Sequence, residues 1–140
     1  MRFWDSSAVV PLILEQPRSA RSRELLDEDP DVVIWWGTPL ECASAFARLR
    51  REGALSQSEE AELVRTLEQL RTGWHEMVPG DLVRAQAHRV LRLHPLRAAD
   101  ALQLAAALEW AGAPSGEAFI TFDERLGAAA AIEGFVVSGR

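Results

Sequence analysis

Four carboxylates border apolar runs in this chain: Asp5 in Phe3-Trp4-Asp5-Ser6-Ser7, Glu41 in Thr38-Pro39-Leu40-Glu41, Asp100 in Arg97-Ala98-Ala99-Asp100-Ala101-Leu102, and Asp123 in Phe119-Ile120-Thr121-Phe122-Asp123. Acids at the ends of segments that must pack are costly to gather, because burial and mutual repulsion both disfavour the ionised form. A divalent cation among them removes that cost. Hard oxygen donors suit Mg²⁺ or Mn²⁺, with water and a substrate phosphate completing an octahedral shell. The chemistry of such a centre is activation of water and stabilisation of charge on phosphorus, by one ion or by two about 4 Å apart. Each acid alone has a plainer account, since Asp is common as a helix cap or turn former. Asp100 fits that account least well, because it interrupts a nearly continuous Ala/Leu face. The combination, not any member, carries the inference.

The surrounding elements must bring these acids together. Arg2 to Asp5 reads as a short buried strand leading into a helix near Ser7–Leu14, which Gln16-Pro17 breaks before a second helical stretch from Arg18 to Asp27. Val32-Val33-Ile34-Trp35-Trp36 is the clearest strand, closed by Gly37. Thr38 is then expected as an N-cap with Pro39 at the first helical position, opening a helix to about Arg51 with Glu41 in its first turn. Ser56-Gln57-Ser58-Glu59 matches a capping box ahead of a helix to about Thr72. Glu76 to Val78 is a possible short strand, Gly80-Asp81 opens a helix to about Leu93, and Pro95 prevents its continuation. Leu96 to Ala111 is Ala- and Leu-rich and helical. Ala118 to Phe122 is a strand, Asp123 can cap a helix to about Ile132, and Phe135 to Val137 is a last strand.

This alternation predicts a single α/β domain over residues 1–140, a three-layer sandwich whose central, mainly parallel sheet is flanked by helices. Ligands of such sheets bind outside the carboxyl ends of the strands. Asp5 and Asp123 each stand at such an end, Glu41 follows the second strand, and Asp100 lies in a first helical turn, where the macrodipole favours a carboxylate.

Composition narrows the classes. The 140 residues suit one domain, and 48% hydrophobic with 26% charged residues is ordinary for a soluble globular protein. No apolar stretch approaches the roughly 20 residues that span a bilayer, and no secretory signal is visible, so a cytoplasmic protein without membrane association is expected. The single Cys42 excludes an internal disulfide. All fifteen basic residues are Arg, and Lys, Asn and Tyr are absent, which points to a GC-rich bacterial genome. A net charge of −6 argues against coating nucleic acid by bulk electrostatics. It leaves room for a metal-dependent nuclease, where bound metal and local Arg reverse the sign.

The chain resembles the PIN-domain ribonucleases, specifically the VapC-type toxins of bacterial type II toxin–antitoxin systems, over essentially its whole length. Phe3-Trp4-Asp5-Ser6-Ser7-Ala8 is similar to that family's opening strand and first acid, and Thr38-Pro39-Leu40-Glu41 to its second motif. The string from Arg97-Ala98-Ala99-Asp100-Ala101 to Ala107 and Thr121-Phe122-Asp123-Glu124-Arg125-Leu126 resemble the third and fourth, which are the specific ones. The resemblance implies a Mg²⁺-dependent endoribonuclease toxin (Mn²⁺ is possible) that hydrolyses phosphodiester bonds in structured RNA of the tRNA or rRNA kind. It implies a homodimer inhibited by a small VapB-like antitoxin. Asp5, Glu41, Asp100 and Asp123 then take the catalytic positions, with Asp5, Asp100 and Asp123 as metal ligands. Ser7 and Thr121 fall where the family often has hydroxyls that orient acids or water, and Arg97 is a candidate contact for substrate phosphate or antitoxin.

Other features weigh less. Arg48, Arg50 and Arg51 complement a helix C-terminus. Trp35 and Trp36 should face opposite sides of the sheet and pack in the core, and Trp74 and Trp110 read as core before interface. His75, His88 and His94 lack zinc-site spacing, and Cys42 has no context for a nucleophile. Receiver and haloacid-dehalogenase proteins also place Asp at strand ends, yet both use a Lys that this chain lacks. A catalytically silent PIN scaffold acting as a regulatory binding partner is the remaining alternative, and the intact acid set argues against it.

Overall fold

The computed structural model describes residues 1–139. Its strands are β1 (Arg2–Trp4), β2 (Val32–Trp35), β3 (His75–Met77), β4 (Ala118–Ile120) and β5 (Val136–Ser138). Its helices are α1 (Ser6–Ile13), α2 (Ser19–Glu28), α3 (Thr38–Arg51), α4 (Gln57–Arg71), α5 (Asp81–Leu93), α6 (Ala98–Ala111) and α7 (Glu124–Ile132). The five strands form one sheet in the order β3-β2-β1-β4-β5. Every pairing is parallel, so the sheet is wholly rather than mainly so. The first strand lies in the middle, between β2 and β4. That places Asp5 at the point where the connections turn to opposite sides, the crevice such sheets offer to ligands.

Alternation along each strand divides the core into two layers. Phe3, Val33, Trp35 and Phe119 face α5, α6 and α7, where Val90, Leu104, Leu108 and Leu126 are buried with them. Trp4, Val32, Ile34 and Ile120 face the other way, onto Val9, Leu25, Cys42, Phe46 and Leu67. The Phe3 and Phe119 rings stack at 5.3 Å, and Trp110 lies 6.3 Å from Phe3. Trp74 packs against the second layer. Among the described residues no helix is long and apolar enough to cross a membrane.

Local signals set most boundaries. Ser56 accepts a hydrogen bond from the Glu59 amide while the Glu59 carboxylate accepts one from the Ser56 amide, a complete capping box. Gly80 and Pro95 bracket α5 as expected. Two expectations fail. Thr38 is not the cap of α3: Gly37 holds that position, and the Thr38 side chain is buried inside the first turn. Trp36 is not core. The strand ends at Trp35, which is 7% exposed, and the next residue is 55% exposed.

Candidate functional site

Asp5 is the most confined of the four acids, 2% exposed at the end of the central strand. Its Oδ2 accepts hydrogen bonds from the Ser7 hydroxyl (2.5 Å), the Ser7 amide (3.2 Å) and the Thr121 hydroxyl (2.8 Å). The carboxylate therefore caps α1, as its simpler reading requires, and is fixed in direction while doing so. Only a long contact from the Ser6 hydroxyl, 3.3 Å, reaches Oδ1.

Both hydroxyls are themselves held. Ser7 Oγ accepts from the Phe122 amide at 2.9 Å and lies 3.2 Å from Thr121 Oγ1, which accepts from the Asp123 amide at 3.0 Å. Thr121 is braced from behind by β5: its amide donates to the Ser138 carbonyl at 3.0 Å. A side chain on Gly139, whose φ of 117° favours glycine, would lie 2.5 Å from the Thr121 carbonyl. The next residue along the chain from Thr121 but one, Asp123, caps α7 through Oδ1, which accepts from the Leu126 amide at 2.8 Å.

Glu41 points to the same edge from the first turn of α3. Its Oε2 accepts from Gln103 Nε2 at 2.7 Å, and its Oε1 lies 3.5 Å from the Ser6 hydroxyl. Asp100 is half-buried, and no hydrogen bond to its carboxylate is found among the described residues. Asp100 and Asp123 line a hollow of about 280 Å³ together with Pro95, Arg97 and Arg125. Asp123 also lines an adjoining groove with Ser6, Ser7, Glu41 and Arg48.

The electrostatics show that the acids feel one another. Burial raises the Asp5 carboxyl above its ordinary value, against the lowering effect of the Ser7 and Thr121 hydrogen bonds. Burial also pushes Glu41 up to about 7, opposed by the Gln103 hydrogen bond and reinforced by the charges of Asp5 and Asp100. Asp100 is raised by burial and then by Asp123 and Asp5, with Arg97 opposing. Cys42 is raised by burial and by the charges of Glu41 and Asp5, which keeps it a packed thiol rather than a nucleophile.

Whether these residues suit a hard cation rests on their donor atoms. All are oxygens, and three acids each commit one oxygen to the protein and leave the other lightly held or unbonded among the described residues. Among those residues, however, no three His, Cys, Asp or Glu side chains stand close enough to hold an ion ready-made. The donor set fits. An ion would have to draw the acids closer together.

The structure thus brings Asp5, Glu41, Asp100 and Asp123 to one edge, with Ser7 and Thr121 directly on Asp5. Arg97 is exposed at the rim and, within the described residues, forms no ion pair. Two contributors were not anticipated. Ser6 stands between Asp5 and Glu41. Gln103 lies one helical turn after Asp100, and that spacing is the signal that would have revealed it.

The PIN domain family model matches residues 2–132. No curated protein matches the chain. Among solved structures, FitAcB from Neisseria gonorrhoeae superposes with a TM-score of 0.72 at 20% identity, covering 99% of this chain and 98% of that one. VapC20 of Mycobacterium tuberculosis, described as a sarcin-ricin loop cleaving toxin, gives 0.68 at 18%, covering 92% and 95%. A toxin–antitoxin complex from Klebsiella pneumoniae gives 0.68 at 15%, covering 100% and 98%. At these identities the likeness to solved structures is one of fold.

Proposed function

This chain belongs to the PIN-domain family, and on that premise we propose that it is a Mg²⁺-dependent endoribonuclease, the toxin of a toxin–antitoxin pair. Mn²⁺ is an acceptable substitute on donor chemistry. The observation that carries the reading is the electrostatic one. Asp5, Glu41 and Asp100 are all raised at one sheet edge, the latter two partly by the charges of other members of the set. Clustered titratable groups with shifted values in a crevice mark functional sites.

In this reading Asp5 Oδ1, Asp100 and the uncapped oxygen of Asp123 would hold the ion. When bound, it supplies Lewis acidity, lowering the pKa of water and offsetting charge on the phosphate. The remaining work belongs to the chain. Ser7 and Thr121 fix Asp5 so that a single oxygen faces the crevice. Glu41, outside the metal set, accepts a proton from the attacking water at Oε1, the oxygen that Gln103 leaves free. Arg97 and Arg125 at the rim meet the phosphates on either side of the scissile bond. The substrate class, structured RNA, and the partners, a VapB-like antitoxin and a second copy of the chain, rest on the family resemblance. They are in keeping with neighbours described as a toxin–antitoxin complex and as a sarcin-ricin loop cleaving toxin.

A silent scaffold is the second reading, and the observation on its side is that no three of these side chains among the described residues stand close enough to hold an ion. Total RNA incubated with the wild type and with Asp5→Ala, each with Mg²⁺ and with EDTA, separates the two. Cleavage by the wild type in Mg²⁺ alone is expected. Equal cutting by Asp5→Ala, or by the wild type in EDTA, would refute the proposed mechanism.

A further inference from the structure

Gln103, in the second turn of α6 and three residues after Asp100, is fully buried, yet it touches the edge where the acids meet. Its Nε2 donates to Glu41 Oε2 at 2.7 Å and to Thr38 Oγ1 at 2.9 Å. Because a carboxylate oxygen only accepts, the Glu41 contact fixes which end of the amide faces it. The other end, Oε1, is then buried with no hydrogen-bond partner, one of only two such side-chain atoms among the described residues. A buried acceptor left unpaired costs stability. An apolar side chain of the same size would avoid that cost, so packing alone does not account for an amide here.

We propose that Gln103 is a positioning residue for catalysis, holding the Glu41 carboxylate so that Oε2 is tied to α6 and Oε1 faces the crevice. The role rests on the nuclease reading above, in which Glu41 handles the proton of the attacking water. Helical geometry makes the assignment specific. Asp100 and Gln103 are three residues apart on α6 and share a face, so one helix presents an acid to the crevice directly and sets a second acid through an amide. Thr38 anchors the amide from the other side, in the first turn of the helix that carries Glu41. Charge explains the choice of side chain. An Arg in this place would orient Glu41 equally well, but it would also neutralise it and compete with a metal for the same edge. A neutral donor gives direction without cancelling charge.

The decisive experiment combines a spectroscopic and a kinetic readout on the full chain. In the metal-free protein, the Gln103 side-chain NH₂ pair should appear in ¹⁵N spectra as slowly exchanging signals that shift in Glu41→Gln. Gln103 signals that exchange freely, or that do not respond to Glu41→Gln, would overturn the proposal whatever the protein cleaves. For kinetics, a fluorophore- and quencher-labelled RNA oligonucleotide with Mn²⁺ serves as probe. Gln103→Leu should lower kcat by about 10- to 100-fold with little change in KM, the usual size for loss of a supporting hydrogen bond at a metal site. Gln103→Met, of similar length, controls for a packing defect and should show the same loss. In a Glu41→Gln background, Gln103→Leu should cause no further loss, because the residue acts through Glu41. An equal loss in both backgrounds, or wild-type kcat in Gln103→Leu and Gln103→Met, overturns the role. Wild-type cleavage by Asp5→Ala would instead sink the nuclease reading, leaving the hydrogen bond to be judged by the spectra.

Discussion

Two acidic clusters in this molecule are built in opposite ways. Glu133, at the end of α7, is met by Arg89 through both carboxylate oxygens at 3.3 and 2.7 Å, and by His94 Nε2 at 2.8 Å. Burial alone would raise its pKa, but the hydrogen bonds and charges of these two partners outweigh that and leave it lowered. At the carboxyl edge of the sheet the balance runs the other way. Asp5, Glu41 and Asp100 are all raised; the hydrogen-bond partners of Asp5 and Glu41 are neutral hydroxyls and amides, and Asp100 has none among the described residues. The same chain that closes one carboxylate with an Arg and a His leaves Asp5, Glu41 and Asp100 without a salt bridge among the described residues. The contrast separates an acid tied into the fold by partners of its own from acids that, in the proposed function, meet a cation brought from outside.

The contrast is broken most severely at Asp100. Asp100→Ala should reduce RNA cleavage by about 10²- to 10³-fold or more, the size expected when an electrostatic stabiliser of the transition state is lost. Its melting temperature in EDTA should equal or exceed that of the wild type, since the change relieves both burial and repulsion. Lower stability with full cleavage would invert the assignment.

Glu133→Gln is the complementary change. It leaves Arg89 and a nearly buried His94 without their acid, at a cost of about 1–3 kcal/mol in urea denaturation, moderated because Arg89 is about one-third exposed. Cleavage by the folded protein should be unaffected.

A finer distinction is in pH. The free Glu41 carboxyl titrates at 4.5 and the folded one at about 7, so the native state holds the extra proton between those values. Stability in EDTA should therefore fall as pH rises from about 4.5 through 7. Glu133 is shifted downward, so its contribution is present above the ordinary carboxyl value and lost as pH drops through the folded one. A melting temperature that peaks on the mildly acidic side is expected, and Mg²⁺ should flatten the alkaline limb. A curve with the same alkaline fall in Mg²⁺ as in EDTA would show that no ion meets these acids.

The sequence revealed what was local and hid what was long-range. The Ser56–Glu59 capping box and the Asp123 cap were readable because donor and acceptor lie three residues apart. The four acids could be singled out because each borders a packed element. The Glu133 cluster could not be, since His94 and Glu133 are 39 residues apart and neither sits in a motif. Gln103 escaped because an amide on a helix that is otherwise buried looks like an irregularity until Glu41, 62 residues earlier, is placed beside it. Trp36 was misread for a simpler reason: strand alternation predicts two faces but not where pairing stops, and β2 ends one residue sooner.

The close approach of Gly139 to the Thr121 carbonyl makes this position sensitive to any side chain. A methyl group there would shove the strand that presents Thr121 and tilt the hydroxyl on which Asp5 leans. Under the proposed nuclease function, activity is therefore expected to be lost through a swollen backbone contact at the sheet's far margin, with every carboxylate still encoded.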